Sequence, residues 1–245
     1  MPEISLAIVG TAGRKDDAKR LTRKHFEAMC LVASGLLEQI NESNYPITHL
    51  VSGGAAWADH VAVKLFLDKK VPNLRLFIPS EWDDGAFETK SSQSVQNRDY
   101  TSDPGSTANY YHKLFQQNTG INGLSDIQIA KAHGAELYCC RGGFHGRNAM
   151  VAKSDFILAC TFGDKNMVKE GGTADTIRKY LARVRKEGIW DKSFHYDLNT
   201  KSIYEGCQVP DIAKEEKFKM QMSQLPFFGT GTPPAGFLAA HFYPP

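Results

Sequence analysis

The chemistry of this chain is most readable in its short glycine-bearing stretches. Gly171-Gly172-Thr173 precedes Ala174-Asp175-Thr176-Ile177-Arg178, which reads as a helix start. Paired glycines let backbone N–H groups approach a ligand, and a helix N-terminus favours negative charge. Thr173 and Thr176 add hydroxyl donors, and Arg147 upstream offers a forked cation for a phosphate or carboxylate. A phosphorylated small molecule suits such a site. The same residues also make an ordinary Gly-Gly turn with a threonine cap.

Two further stretches share the design: Gly10-Thr11-Ala12-Gly13-Arg14, and Ser52-Gly53-Gly54-Ala55 followed by Asp59. Asp59 is explained either as a first-turn carboxylate favoured by the helix dipole, or as a group that orders the loop or bonds a ligand hydroxyl. The first loop lacks the spacing of G-x-x-x-x-G-K-[ST] and of G-x-G-x-x-G. Neither an ATP-hydrolysing phosphate loop nor a dinucleotide fingerprint is present. Arg141 to Asn148 forms another glycine-rich loop, which Asn148 can hold together through backbone hydrogen bonds.

These stretches need elements to position them. Phe156 to Cys160 is short and continuously apolar, as in a strand buried on both faces of a parallel sheet. Ile4 to Val9, Ile47 to Val51 and Leu74 to Pro79 read as further strands, with Ala135 to Cys140 and Ser193 to Leu198 later. Phe26, Met29, Ala33, Leu36, Leu37 and Ile40 recur at gaps of three and four and predict an amphipathic helix. A second helix carries Ala58, Val61, Ala62, Leu65 and Phe66, and a third runs from Ile177 to Lys186. Strand–loop–helix units in succession predict a parallel sheet with right-handed crossovers. The expected fold is therefore α/β: a Rossmann-like three-layer sandwich with a mostly parallel sheet. Ligands of such sheets sit beyond the carboxyl ends of the strands, so the glycine loops are expected to share one rim.

The pattern weakens between Ser80 and Gly123, apart from a short helix over Ala108 to Phe115. We read about 82–124 as an insertion capping the rim, with Trp82, Tyr110 and Tyr111 available to stack on a base and Arg98 or His112 to meet a phosphate. Leu124 to His133 resembles a short helix. The domain is expected to span 1–206, with 207–245 as a C-terminal extension. There, Ala213 to Met222 reads as a charged helix, and Leu225 to Pro245 is rich in Phe, Gly and Pro. So apolar a tail is expected to pack on its own domain or on a second subunit, giving a homo-oligomer.

Composition narrows the class. The net charge of +2 is too balanced to point to nucleic acid or an anionic membrane as partner. No apolar run approaches the roughly 20 residues of a membrane helix. Five cysteines, without any C-x-x-C, argue against a disulfide framework or zinc site and suit a cytoplasmic protein. No H-x-x-x-H pair suggests a metal, and no cofactor is expected.

Together these blocks resemble the SLOG superfamily, which includes the Lonely Guy phosphoribohydrolases, the DNA-processing protein A family and YspA-like proteins. Three blocks carry the likeness: Ser52-Gly53-Gly54-Ala55 with Ala58-Asp59 and Ala62; Arg147-Asn148 with Ser154-Asp155-Phe156-Ile157; and Gly171-Gly172-Thr173 with Thr176. The resemblance spans roughly Ile4 to Leu198. It implies a fold that binds nucleotides or their derivatives, with some relatives sensing them and others cleaving base from ribose 5′-monophosphate. Lonely Guy enzymes carry P-G-G-x-G-T-x-x-E. Matching the Gly-Gly pair puts Glu170 in place of the Pro and Arg178 in place of the Glu. Matching Gly172-Thr173 to the Gly-Thr pair puts Thr176 there. In either register the catalytic carboxylate does not carry over.

Three functions follow as expectations. The first is a binding or sensing module for a nucleotide-like ligand. The second is a nucleotide N-glycosidase, which needs a carboxylate near the anomeric carbon. Glu81, Glu88, Glu170 and Asp175 are its candidates, with Glu81 placed best because it follows the third strand. The third is an assembly protein with a vestigial pocket.

Overall fold

Strand β7 (Phe156–Thr161) is buried along its whole length and lies beside β1 (Ser5–Gly10). In the computed structural model these two parallel strands form the middle of a seven-stranded sheet. Described are residues 3–43, 46–90 and 102–211. From β1 the chain steps outward through β2 (His49–Ser52), β3 (Asn73–Ile78) and β6 (Glu136–Cys139), all parallel. It then returns to place β7 on the other side of β1, and adds β8 (Ser193–Asp197). The direction of travel reverses between β1 and β7. A β-hairpin adds β9 (Ser202–Glu205), antiparallel to β8, at the sheet edge. The α/β three-layer architecture expected from the strand pattern is present.

The face that carries Leu6, Ile8, Leu50 and Leu158 is covered by α2 (Arg23–Glu42) and α3 (His60–Leu67). Helix α2 buries Phe26, Met29, Ala33, Leu36, Leu37 and Ile40, the positions its periodicity marks. The opposite face, with Ala7, Val9, Ile157 and Ala159, is covered by α6 (Gly143–Val151) and α7 (Gly172–Glu187). A short α1 (Asp17–Arg20) precedes α2.

The segment 82–124 is built differently from a simple cap. It holds a small hairpin of β4 (Trp82–Asp83) and β5 (Ala86–Phe87), then α4 (Pro104–Thr119) and the start of α5 (Gly123–Ala132). It belongs to the crossover from β3 to β6, and Ala108, Phe115 and Ile127 extend the core. Phe115 meets Phe26 and Trp57 edge-on, both with ring centroids 5.0 Å apart.

The chain divides after Pro210. Residues 207–210 are tied to the first part by Cys207 N to Ser193 Oγ (2.8 Å) and Gln208 N to the Asn166 carbonyl (2.7 Å). The helix expected at Ala213 to Met222, the tail Leu225 to Pro245 and Arg98 lie outside the described residues. Among the described residues no helix is long and apolar enough to cross a membrane.

Candidate functional site

At the carboxyl end of β1 the chain runs against the end of β7. A Cβ on Gly10 would lie 2.1 Å from the Cys160 carbonyl oxygen and 2.6 Å from Ala58 Cβ, so only glycine fits. Thr11 N then donates to the Cys160 carbonyl (2.9 Å), and the Thr11 carbonyl accepts from Ala58 N (3.2 Å). The loops after β1 and β2 are thereby locked together at the end of β7. Gly13 takes a positive φ of 74° against the Trp57 indole, where a Cβ would come within 2.6 Å.

Asp59 orders the second loop. Its Oδ2 accepts from Gly53 N (3.1 Å) and Ala55 N (3.3 Å) and lies 3.7 Å from Arg147 Nη1. It does not cap α3. Burial raises the Asp59 pKa, and Arg147 together with these N–H groups pulls the other way. Arg147 is mostly buried and donates to the Gly53 carbonyl (2.9 Å). Burial, and the nearby Arg14 charge, lower its pKa, against which Asp59 acts. Ser52 Oγ accepts from Gly54 N (3.2 Å), and the Gly54 carbonyl pairs with His112 Nε2 (3.0 Å).

The third loop leads from β7 into α7. Thr161 Oγ1 accepts from Lys169 N (3.1 Å) and pairs with His195 Nε2 (2.8 Å). This places Lys169 Nζ 2.6 Å from Asp17 Oδ1, while Thr11 Oγ1 donates to Asp17 Oδ2 (2.7 Å). Asn148 Nδ2 reaches the Gly172 carbonyl (3.3 Å) and Asp175 Oδ2 (2.9 Å), and so joins α6 to the first turn of α7. Thr176 Oγ1 donates back to the Gly172 carbonyl (3.0 Å). Burial alone would raise the Asp175 pKa, but hydrogen bonds from Lys179 and Asn148 hold it below the usual value.

These loops enclose one cavity of about 630 Å³ at the carboxyl ends of β1 and β7, where the strand order reverses. Of the residues singled out from sequence, Gly10, Thr11, Arg14, Gly53, Asp59, Arg147, Asn148, Gly171, Gly172, Thr173 and Thr176 line it. Gly13, Ser52 and Gly54 do not; they shape its loops from behind. Arg147 and Asn148 stand on α6, which absorbs most of the loop expected at Arg141 to Asn148.

Glu81 lies outside the cavity. Its carbonyl closes the β4–β5 hairpin on Glu88 N (2.8 Å), and its carboxylate is turned to Cys139. Cys139 is pushed up to about 11, first by burial and then by Glu81. Glu81 is therefore not placed to act on a ligand there. Glu170 and Asp175 do face the cavity. Each holds a cation: Glu170 pairs with Arg178, and Asp175 with Lys179. Trp82 donates to Gln128 (2.7 Å) beside Phe87, and His112 is packed in the core. Tyr111 is the insertion aromatic that reaches the cavity.

Sequence reasoning missed Asp17, Lys169, Thr107 and Phe144, all of which line the site. For Asp17 and Lys169 a signal existed in their place beside glycine loops. Among the described residues no cluster of His, Cys, Asp and Glu is arranged to hold a metal ion.

"Uncharacterized protein R261" of Acanthamoeba polyphaga mimivirus is 35% identical to this chain over 181 residues, covering 73% of this chain and 92% of the viral protein. No protein-family profile matches the chain, and no solved structure matches it.

Proposed function

We propose that this chain, which belongs to the family of mimivirus protein R261, binds a nucleotide or a nucleotide-derived phosphorylated small molecule. One observation carries the reading: loops after β1, β2 and β7 meet in a single cavity at the strand-order reversal. Gly172, Thr173, Asp175 and Thr176 of the first α7 turn line that cavity, as do Arg147 and Lys169. A phosphate is the group such a corner accepts. Kinship with the SLOG superfamily belongs to the same proposal and is supported by where its three blocks fall. A reducing, cytoplasmic setting also fits, since all five cysteines are free thiols.

Binding is favoured over base cleavage because both candidate carboxylates in the cavity are held by cations. Calorimetric titration with AMP, GMP, CMP and UMP tests the reading. At least one is expected to bind, and Arg147→Ala, checked for folding by its melting curve, weakens it about tenfold or more through a lost charged hydrogen bond. Chromatography of the same mixtures is expected to show no free base. Absence of binding by all four would reject the proposal.

A further inference from the structure

Two aromatic side chains reach the cavity from different elements: Tyr111 from α4 and Phe144 from α6. Neither ring is explained by the phosphate corner. The Arg14 guanidinium lies 5.3 Å from the Tyr111 ring centroid and 5.0 Å from that of Phe144. Arg147 lies 5.2 Å from the Phe144 ring. A flat, delocalised cation thus already rests within reach of both rings, in a place shaped for a flat group.

We infer that the base of the bound nucleotide stacks against Tyr111 and Phe144, taking the place on those rings that the Arg14 guanidinium holds. This rests on the nucleotide reading above and adds to it the base subsite and the ligand's direction. Phe144 precedes Asn148 by one turn of α6, about 6 Å of helix rise. Asn148 in turn touches the Gly172 carbonyl at the phosphate corner. Phe144 and Asn148 thus lie on one face of α6, which leads from the rings to the corner. A ribose 5-phosphate therefore lies along α6, with its phosphate at Gly171 to Thr173 and its base toward α4. Stacking on aromatic rings tolerates any base, because every base has a π face, so the subsite selects for a base rather than among bases.

Calorimetry on the full chain tests this with ribose 5-phosphate and with the tightest binder among AMP, GMP, CMP and UMP. The nucleotide is expected to bind at least about tenfold more tightly than ribose 5-phosphate. Phe144→Ala and Tyr111→Ala are each expected to remove most of that preference, lowering nucleotide affinity more than ribose 5-phosphate affinity. Tyr111→Phe, which keeps the ring, retains it. Phe144 is only half-buried on the rim, so its variant carries the test if Tyr111→Ala does not fold. Full preference in the folded alanine variants overturns the base subsite and leaves the nucleotide reading standing. Failure of both probes on the unaltered chain rejects that reading, and the subsite with it.

Discussion

Gly10 and Gly172 both line the cavity, yet they are glycines for different reasons. A Cβ on Gly10 would enter the Cys160 carbonyl and the Ala58 methyl, neither of which is a flexible side-chain end. Gly10→Ala is expected to lower stability by about 1–3 kcal/mol or more, by forced overpacking. Around Gly172 the nearest group is Asn148 Nδ2, at 4.0 Å. Gly172→Ala is expected to change stability by under about 1 kcal/mol. Urea denaturation of the two variants, side by side, checks the contrast. Sequence shows both as members of glycine pairs or loops and cannot separate them, because the clash at Gly10 comes from a strand about 150 residues away. Asp59 was legible as a loop-ordering group. Glu81 misled because its position after β3 suits the rim, whereas the hairpin that follows turns it toward Cys139.

At the scale of elements, periodicity exposed α2 and the run of apolar residues exposed β7. Helix α4 was read as about half its length. Its start signals stand in the sequence: Asp103 accepts from Ser106 N (2.9 Å) and Pro104 occupies the first turn. Polar residues at the solvent side diluted the apolar pattern behind them. Strand β9 was missed because it is an exposed edge and has little apolar alternation. The work of α4 is to brace the glycine loops. Its Phe115 is fully buried against Trp57, whose indole packs on Gly13, and its His112 holds the Gly54 carbonyl. Phe115→Ala is expected to cost about 3–5 kcal/mol in chemical denaturation, the range for a large buried aromatic.

For the whole molecule, the buried His112 sets a dependence on acidity. Burial, reinforced by neighbouring His60, depresses its pKa from 6.5 to about 3, against the pull of the Gly54 carbonyl and Asp126. In the unfolded chain this histidine takes up a proton near pH 6.5, which the folded chain refuses until about pH 3. Its contribution to stability is complete above pH 6.5 and is lost as pH falls from there toward 3. Urea midpoints measured from pH 8 to pH 4 are expected to decline, and His112→Gln to flatten that decline. A slope unchanged by the substitution would assign the acid sensitivity elsewhere.

Because β1 has β2 on one flank and β7 on the other, its two neighbours reach it at very different times during synthesis. The first follows β1 by some forty residues of chain. The second pairs Leu6 with Phe156, and Ser5 waits equally long for Asp155. Until then a nascent chain carries its innermost strand with one bare edge, a surface open to misplaced pairing. Chaperone protection of that early stretch on the ribosome would answer a need written into the strand order.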